Sequence, residues 1–150
     1  MIRRTTLFTA IAIAVMTATA GAQDADYRTV DSPFQDDFEY VVNADLQPLV
    51  EVAGVRWMRF GIFVKGDREI DPERDNPVTV ELDFVNTNPD SVKILVIALL
   101  EDENGVTLDR LECGKIKAGN DRLKESAQKH SISGAVLQAM RRVYLFCEVE

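Results

Sequence analysis

A step of two in the apolar residues restricts this chain more than any other feature. Val78, Val80, Leu82 and Phe84 alternate with Thr79, Glu81, Asp83 and Val85, and the same step recurs at Val143, Leu145, Cys147 and Val149. Successive side chains of a strand point to opposite faces, so each run makes a β-strand with one apolar face, not an amphipathic helix. Val92 to Leu100 is apolar almost throughout, which reads as a strand buried on both faces. Asn104-Gly105 separates it from Val106-Thr107-Leu108, a strong hairpin signal, and the return strand runs to about Lys117.

Earlier in the chain, Phe38, Tyr40 and Val42 alternate as a short first strand, and Pro48 begins a longer extended stretch with a turn or bulge at Gly54. Unbroken alternation there puts Met58, Phe60, Ile62 and Val64 on one face and Val55, Trp57, Arg59, Gly61, Phe63 and Lys65 on the other. Gly66 to Pro77 is a charged loop, and Asn86-Thr-Asn-Pro-Asp90 is turn chemistry. Between Asn120 and Arg142 the period changes. Asn120 suits a helix cap, Leu123 and Ala127 fall four apart, and Val136, Leu137 and Met140 suggest a second helical turn. Ser131-Ile132-Ser133 also reads as a strand. In either form this segment is the expected cover for the second face of strand 92–100.

The amino terminus has the layout of a secretory signal peptide. Arg3 and Arg4 precede an apolar run from Leu7 to Ala18, and Ala20-Gly21-Ala22 places small residues at a cleavage site. The run is shorter than the ~20 residues of a membrane span. Residues 1–22 are therefore expected to be removed, 23–37 to form a loose acidic lead-in, and 38–150 to form one domain. Taking 22 residues from 150 leaves 128, enough for a single core. Losing Arg3 and Arg4 moves the net charge from −8 to −10. Such a chain is repelled by nucleic acid and by anionic lipid. The destination is periplasmic or secreted; the lack of any Asn-x-Ser/Thr acceptor leans towards a bacterial periplasm. In an oxidising compartment Cys113 and Cys147, on the apolar faces of their strands, are expected to form a disulfide.

From Val78 to Leu108 the chain resembles extracellular β-sandwich modules of the FxLYD type, which are immunoglobulin-like. The shared layout is a strand ending at Asn86, a turn, an apolar strand, and an acidic turn closed by Gly105. Leu100-Glu101-Asp102 falls at the Leu-Tyr-Asp position, while Ala98 and Glu101 stand where the family has Phe and Tyr. The resemblance implies a fold and assigns no site. The expected architecture is mostly β: a single immunoglobulin-like antiparallel sandwich of six to eight strands, with a short helical segment near 120–141.

No catalytic set stands out. His130 is the one histidine, and nothing in its sequence neighbourhood supplies a nucleophile with an orienting carboxylate. One histidine and two cysteines do not make a zinc site, so no metal or cofactor is expected. Asp67, Glu69, Asp71, Glu73 and Asp75 alternate, but Arg68 and Arg74 among them favour a solvated loop over a calcium site. The richest face is that of Trp57, Arg59, Phe63 and Lys65, with Tyr144 as an extension. Trp and Arg are the commonest interface anchors; the alternative is a Trp57 packed beneath segment 120–142. The expected function is an exported, non-catalytic module that binds another protein or an envelope component. A carbohydrate-binding module using Trp57 and Tyr144 is the second reading.

Overall fold

The computed structural model describes residues 26–66 and 68–150, so the expected leader lies outside the described residues. In chain order come β1 (Arg28–Val30), β2 (Phe34–Glu39), β3 (Asp45–Leu46), β4 (Val50–Val52), β5 (Val55–Val64), β6 (Asp75–Asn86), β7 (Val92–Glu101), β8 (Thr107–Ala118), β9 (Leu123–Ser133), α1 (Gly134–Ala139) and β10 (Arg142–Val149). Two sheets pack face to face as a β-sandwich. The larger has the order β1-β4-β5-β6-β9 with β3 also on β5, and the smaller is β2-β10-β7-β8. Ten strands among the described residues exceed the expected six to eight, and β1 runs parallel to β4; the other strand pairs are antiparallel.

Between the sheets lies one apolar cluster that includes Trp57, Phe60, Leu82, Phe84, Ile94, Val96, Leu100, Leu145 and Cys147. Trp57 is at its centre with 0% exposure. Its ring lies edge-on to Phe34 and Phe60, at 6.5 and 6.3 Å between centroids, and 5.4 Å from Phe84. This corrects the expected face. The register of β5 on β6 shifts between Trp57 and Arg59, a bulge that accommodates Met58 as an extra residue. Parity flips there, so Val55 and Trp57 join Phe60, Ile62 and Val64 on the core side. The Trp57 indole N–H donates to the Arg59 carbonyl at 2.9 Å, satisfying both groups where the ladder is disturbed.

Three further expectations are corrected. The described part of the lead-in, from residue 26, is structured: it carries β1 and most of β2, which pairs with β10 from Phe34↔Cys147 to Glu39↔Arg142. Phe34 is buried there, and the acidic residues around it, Asp36 and Asp37, made this strand read as a tail. Residues 123–133 form β9, paired along its length with β6; only the helix at 134–139 remains of the expected helical segment. The inward row of β9 is Lys124, Ser126, Gln128, His130 and Ile132, of which only Ile132 is fully buried. So polar an edge strand carries almost no alternation to detect. The Gln128 amide donates to the Cys113 carbonyl, joining the edges of the two sheets.

The third correction concerns the disulfide. Cys113 and Cys147 are buried free thiols. They lie on β8 and β10, which both pair with β7 and not with each other. Cys147 opposes Val96 from one side, and Cys113 sits at the register shift opposite Val96 on the other. Two strand spacings separate the α-carbons by ~9.6 Å, beyond the ~7 Å limit for a bridge.

Candidate functional site

The expected constellation is not brought together. Trp57 lies inside the sandwich, Arg59 and Phe63 lie on the outer face of the larger sheet, and Tyr144 is on the outer face of the smaller one. With Trp57 at 0% exposure no sugar ring can stack on it, which takes Trp57 out of the carbohydrate-binding reading. Lys65 is exposed just beyond β5.

Arg59 does sit over the Phe63 ring, 5.3 Å from its centroid. Its guanidinium is already engaged, by Asp45 from β3 and by Glu81 at 2.6 Å and Asp83 at 4.0 Å from β6. Loss of solvent pushes the Asp83 carboxyl up; Arg59 opposes this, and Glu125, Glu81 and Asp45 add to it. The Asp45 hydrogen bond, with further support from Glu81, raises Arg59. Arg59 therefore closes a local carboxylate cluster and offers a partner little unsatisfied charge.

A cleft of about 530 Å³ opens at one end of the sandwich, lined by Tyr40, Val41, Leu46, Glu103, Arg141 and Arg142 among others. The Tyr40 hydroxyl donates to the Ala44 carbonyl at 2.8 Å and accepts the Ile62 N–H at 2.7 Å. These two bonds pin the β2–β3 crossover, and burial pushes the phenol up to about 12.

A different surface carries more. The smaller sheet turns Ile94, Val96, Ala98 and Leu100 of β7 inward, and Val143, Leu145 and Cys147 of β10 with them. Leu95, Ile97 and Leu99 must then point outward, and they lie opposite Glu148, Phe146 and Tyr144. Five apolar or aromatic side chains thus meet on the outside: an aliphatic stripe on β7 beside Tyr144 and Phe146 on β10. Each is partly exposed, and none packs against the core. Segment 120–142 was the expected cover, but β9 joined the larger sheet instead, and no other described strand or helix packs on this face.

Charge frames the stripe unequally. One row across the sheet reads Asp37, Tyr144, Leu99, Arg110; the next reads Gln35, Phe146, Ile97, Glu112. At one end stand Glu39, Arg142, Glu101 and Thr107, and towards the other Lys115 and Lys117 lie opposite Leu95 and Lys93. The β8 flank thus presents Arg110, Lys115 and Lys117 against a single carboxylate, while the β2 flank presents Asp37 and Glu39. Within the chain Arg142 pairs with Asp37, Arg110 with Glu112 at 2.9 Å, and Lys115 with Glu150 at 2.7 Å. The Tyr144 hydroxyl is bonded to the Gln35 side chain, which fixes the ring against the sheet. Of these residues Tyr144 and Phe146 alternate visibly along their strand, while the signal for Leu95, Ile97 and Leu99 is the unbroken apolar run of 92–100, which reads as burial.

Among the described residues no three His, Cys, Asp or Glu side chains converge as a metal centre requires. The His130 Nε2 is buried without a hydrogen-bond partner. Compared with protein-family models and with curated proteins, the chain matches none.

Proposed function

We propose that this chain is an exported, non-catalytic β-sandwich module that docks another protein or an envelope component through the outer face of its smaller sheet. One observation carries the reading: Leu95, Ile97, Leu99, Tyr144 and Phe146 form a contiguous apolar stripe on the outside of a sheet, with charged residues around it. A contiguous apolar patch ringed by charge is the usual mark of an interaction surface, and aromatic anchors of this kind carry most of the energy in such contacts. Export is supported by the basic start, the apolar run and Ala20-Gly21-Ala22. The resemblance of Val78–Leu108 to extracellular modules points the same way.

The test is photocrosslinking in the native compartment, with a photoreactive side chain at position 97 and, as control, at position 127 on the outer face of the larger sheet. Adducts with an identified macromolecule are expected from position 97 and not from 127. Their absence at 97 overturns the reading.

A further inference from the structure

Resting on that docking surface, we infer that its occupant is a second copy of this chain, stacked sheet on sheet about a two-fold axis that runs parallel to the strands between β7 and β10. The inference comes from the charge pattern across the rows. A rotation about such an axis exchanges left and right across the sheet and keeps each row at its own height. The aliphatic stripe of β7 then faces the aromatic stripe of β10 in the second copy, so that Leu99 meets Tyr144 and Ile97 meets Phe146. Two opposite-charge pairs arise as well. Asp37 at one end of its row faces Arg110 at the other end of the same row in the second copy, and Arg142 faces Glu101. Each contact occurs twice, as an isologous interface requires.

The other two-fold arrangement, with its axis across the strands, lays β8 on β8. It sets Arg110, Lys115 and Lys117 against the same flank of the second copy and the Asp37, Glu39 flank against its own copy. Like charge facing like charge across an interface is costly, so the surface selects the first orientation. Aligned packing of this kind, with a small angle between the strands, is one of the two common ways for sheets to stack face to face. The size is sufficient. Four strands at ~4.8 Å and about eight residues at ~3.3 Å give roughly 500 Å² of face per copy. That comes to about 1,000 Å² in total, the lower range of specific interfaces, and it implies a reversible dimer.

Sedimentation equilibrium over a concentration series, on protein produced from the full-length chain, tests this. A concentration-dependent dimer is expected. Ile97→Glu should weaken it by at least about tenfold, since it buries a charge at the centre of the patch. Asp37→Arg and Arg110→Asp should each weaken it, and the double variant Asp37→Arg/Arg110→Asp should bind more tightly than either single variant, because the swap restores the facing pair although each swapped side chain then sits beside a like charge, Arg142 or Glu112. All three side chains point outward, and unchanged thermal melts and circular dichroism will show that each variant is folded. A monomer at every concentration, a dimer indifferent to Ile97→Glu, or a double swap without recovery overturns the inference. Photocrosslinking at position 97 separates this inference from the broader reading. An adduct of twice the chain mass, joined near Phe146, supports it. An adduct with another identified macromolecule overturns the second copy and keeps the docking surface, and no adduct overturns both.

Discussion

Trp57 shows how far one backbone irregularity can move a residue in function space. Three aromatic rings surround it, its exposure is 0%, and its N–H is bonded to the Arg59 carbonyl. Trp57→Ala would open a large cavity and leave that carbonyl without its partner, at a cost of roughly 3–5 kcal/mol. Urea melts beside the parent are expected to show this loss as a lower midpoint, and docking through the smaller sheet should be unchanged wherever the variant is folded. The sequence made Val55 and Trp57 legible as one face, and Phe60, Ile62 and Val64 as another. It did not reveal that these faces are one. Nothing in Trp57-Met58-Arg59 marks the bulge, because its compensating bond comes from a side chain reaching back to the backbone. That Arg59 and Phe63 share a face was legible from the alternation, but their contact was not, since four residues span ~13 Å along a strand and only the long Arg59 side chain closes the gap. The carboxylates that occupy Arg59 were not legible either, since Asp45, Glu81 and Asp83 arrive from other strands.

The order of the strands decides the chemistry of the two cysteines. With β7 between β8 and β10, the thiols flank Val96 and stay apart. Thiol titration in denaturant without reductant is therefore expected to count two thiols, and the folded protein should react slowly. Burial pushes both thiols up from 9.0 to about 12. The folded state keeps these protons to higher pH than the unfolded chain does. Their contribution to stability is thus intact below about 9 and lost as pH rises towards 12, by up to about 1.4 kcal/mol per pH unit for each thiol. Urea midpoints should fall between about pH 8 and about pH 10.5, and less steeply in a Cys113→Ala/Cys147→Ala variant; Tyr40, also raised to about 12, accounts for a residual slope. At this scale the sequence was most legible where one face is cleanly apolar, as in β6 and β10, and where Asn104-Gly105 closes the β7–β8 hairpin. It was least legible in β9, where Leu123 and Ala127 mimic a helical spacing yet both face outward as part of a polar edge.

For the molecule as a whole, the apolar run of β7 was visible in the sequence and its meaning was not. Both faces of the strand are apolar, but only the fold tells which neighbours remain to cover them. If export is as proposed, intact mass of protein from the extracytoplasmic fraction should correspond to a chain beginning at Gln23. A full-length mass there would indicate an uncleaved anchor, and protein confined to the cytoplasm would remove the export claim. The pairing of β2 with β10 has a bearing on that journey. It joins residues 34–39 to residues 142–147, so the smaller sheet cannot close until both segments are available, more than 100 residues apart in the chain. Sheets built from such distant segments form slowly, over milliseconds to seconds. A chain threaded through a narrow channel from its amino end would therefore leave β2 without its partner until β10 had also crossed, and the smaller sheet would be completed only on the far side.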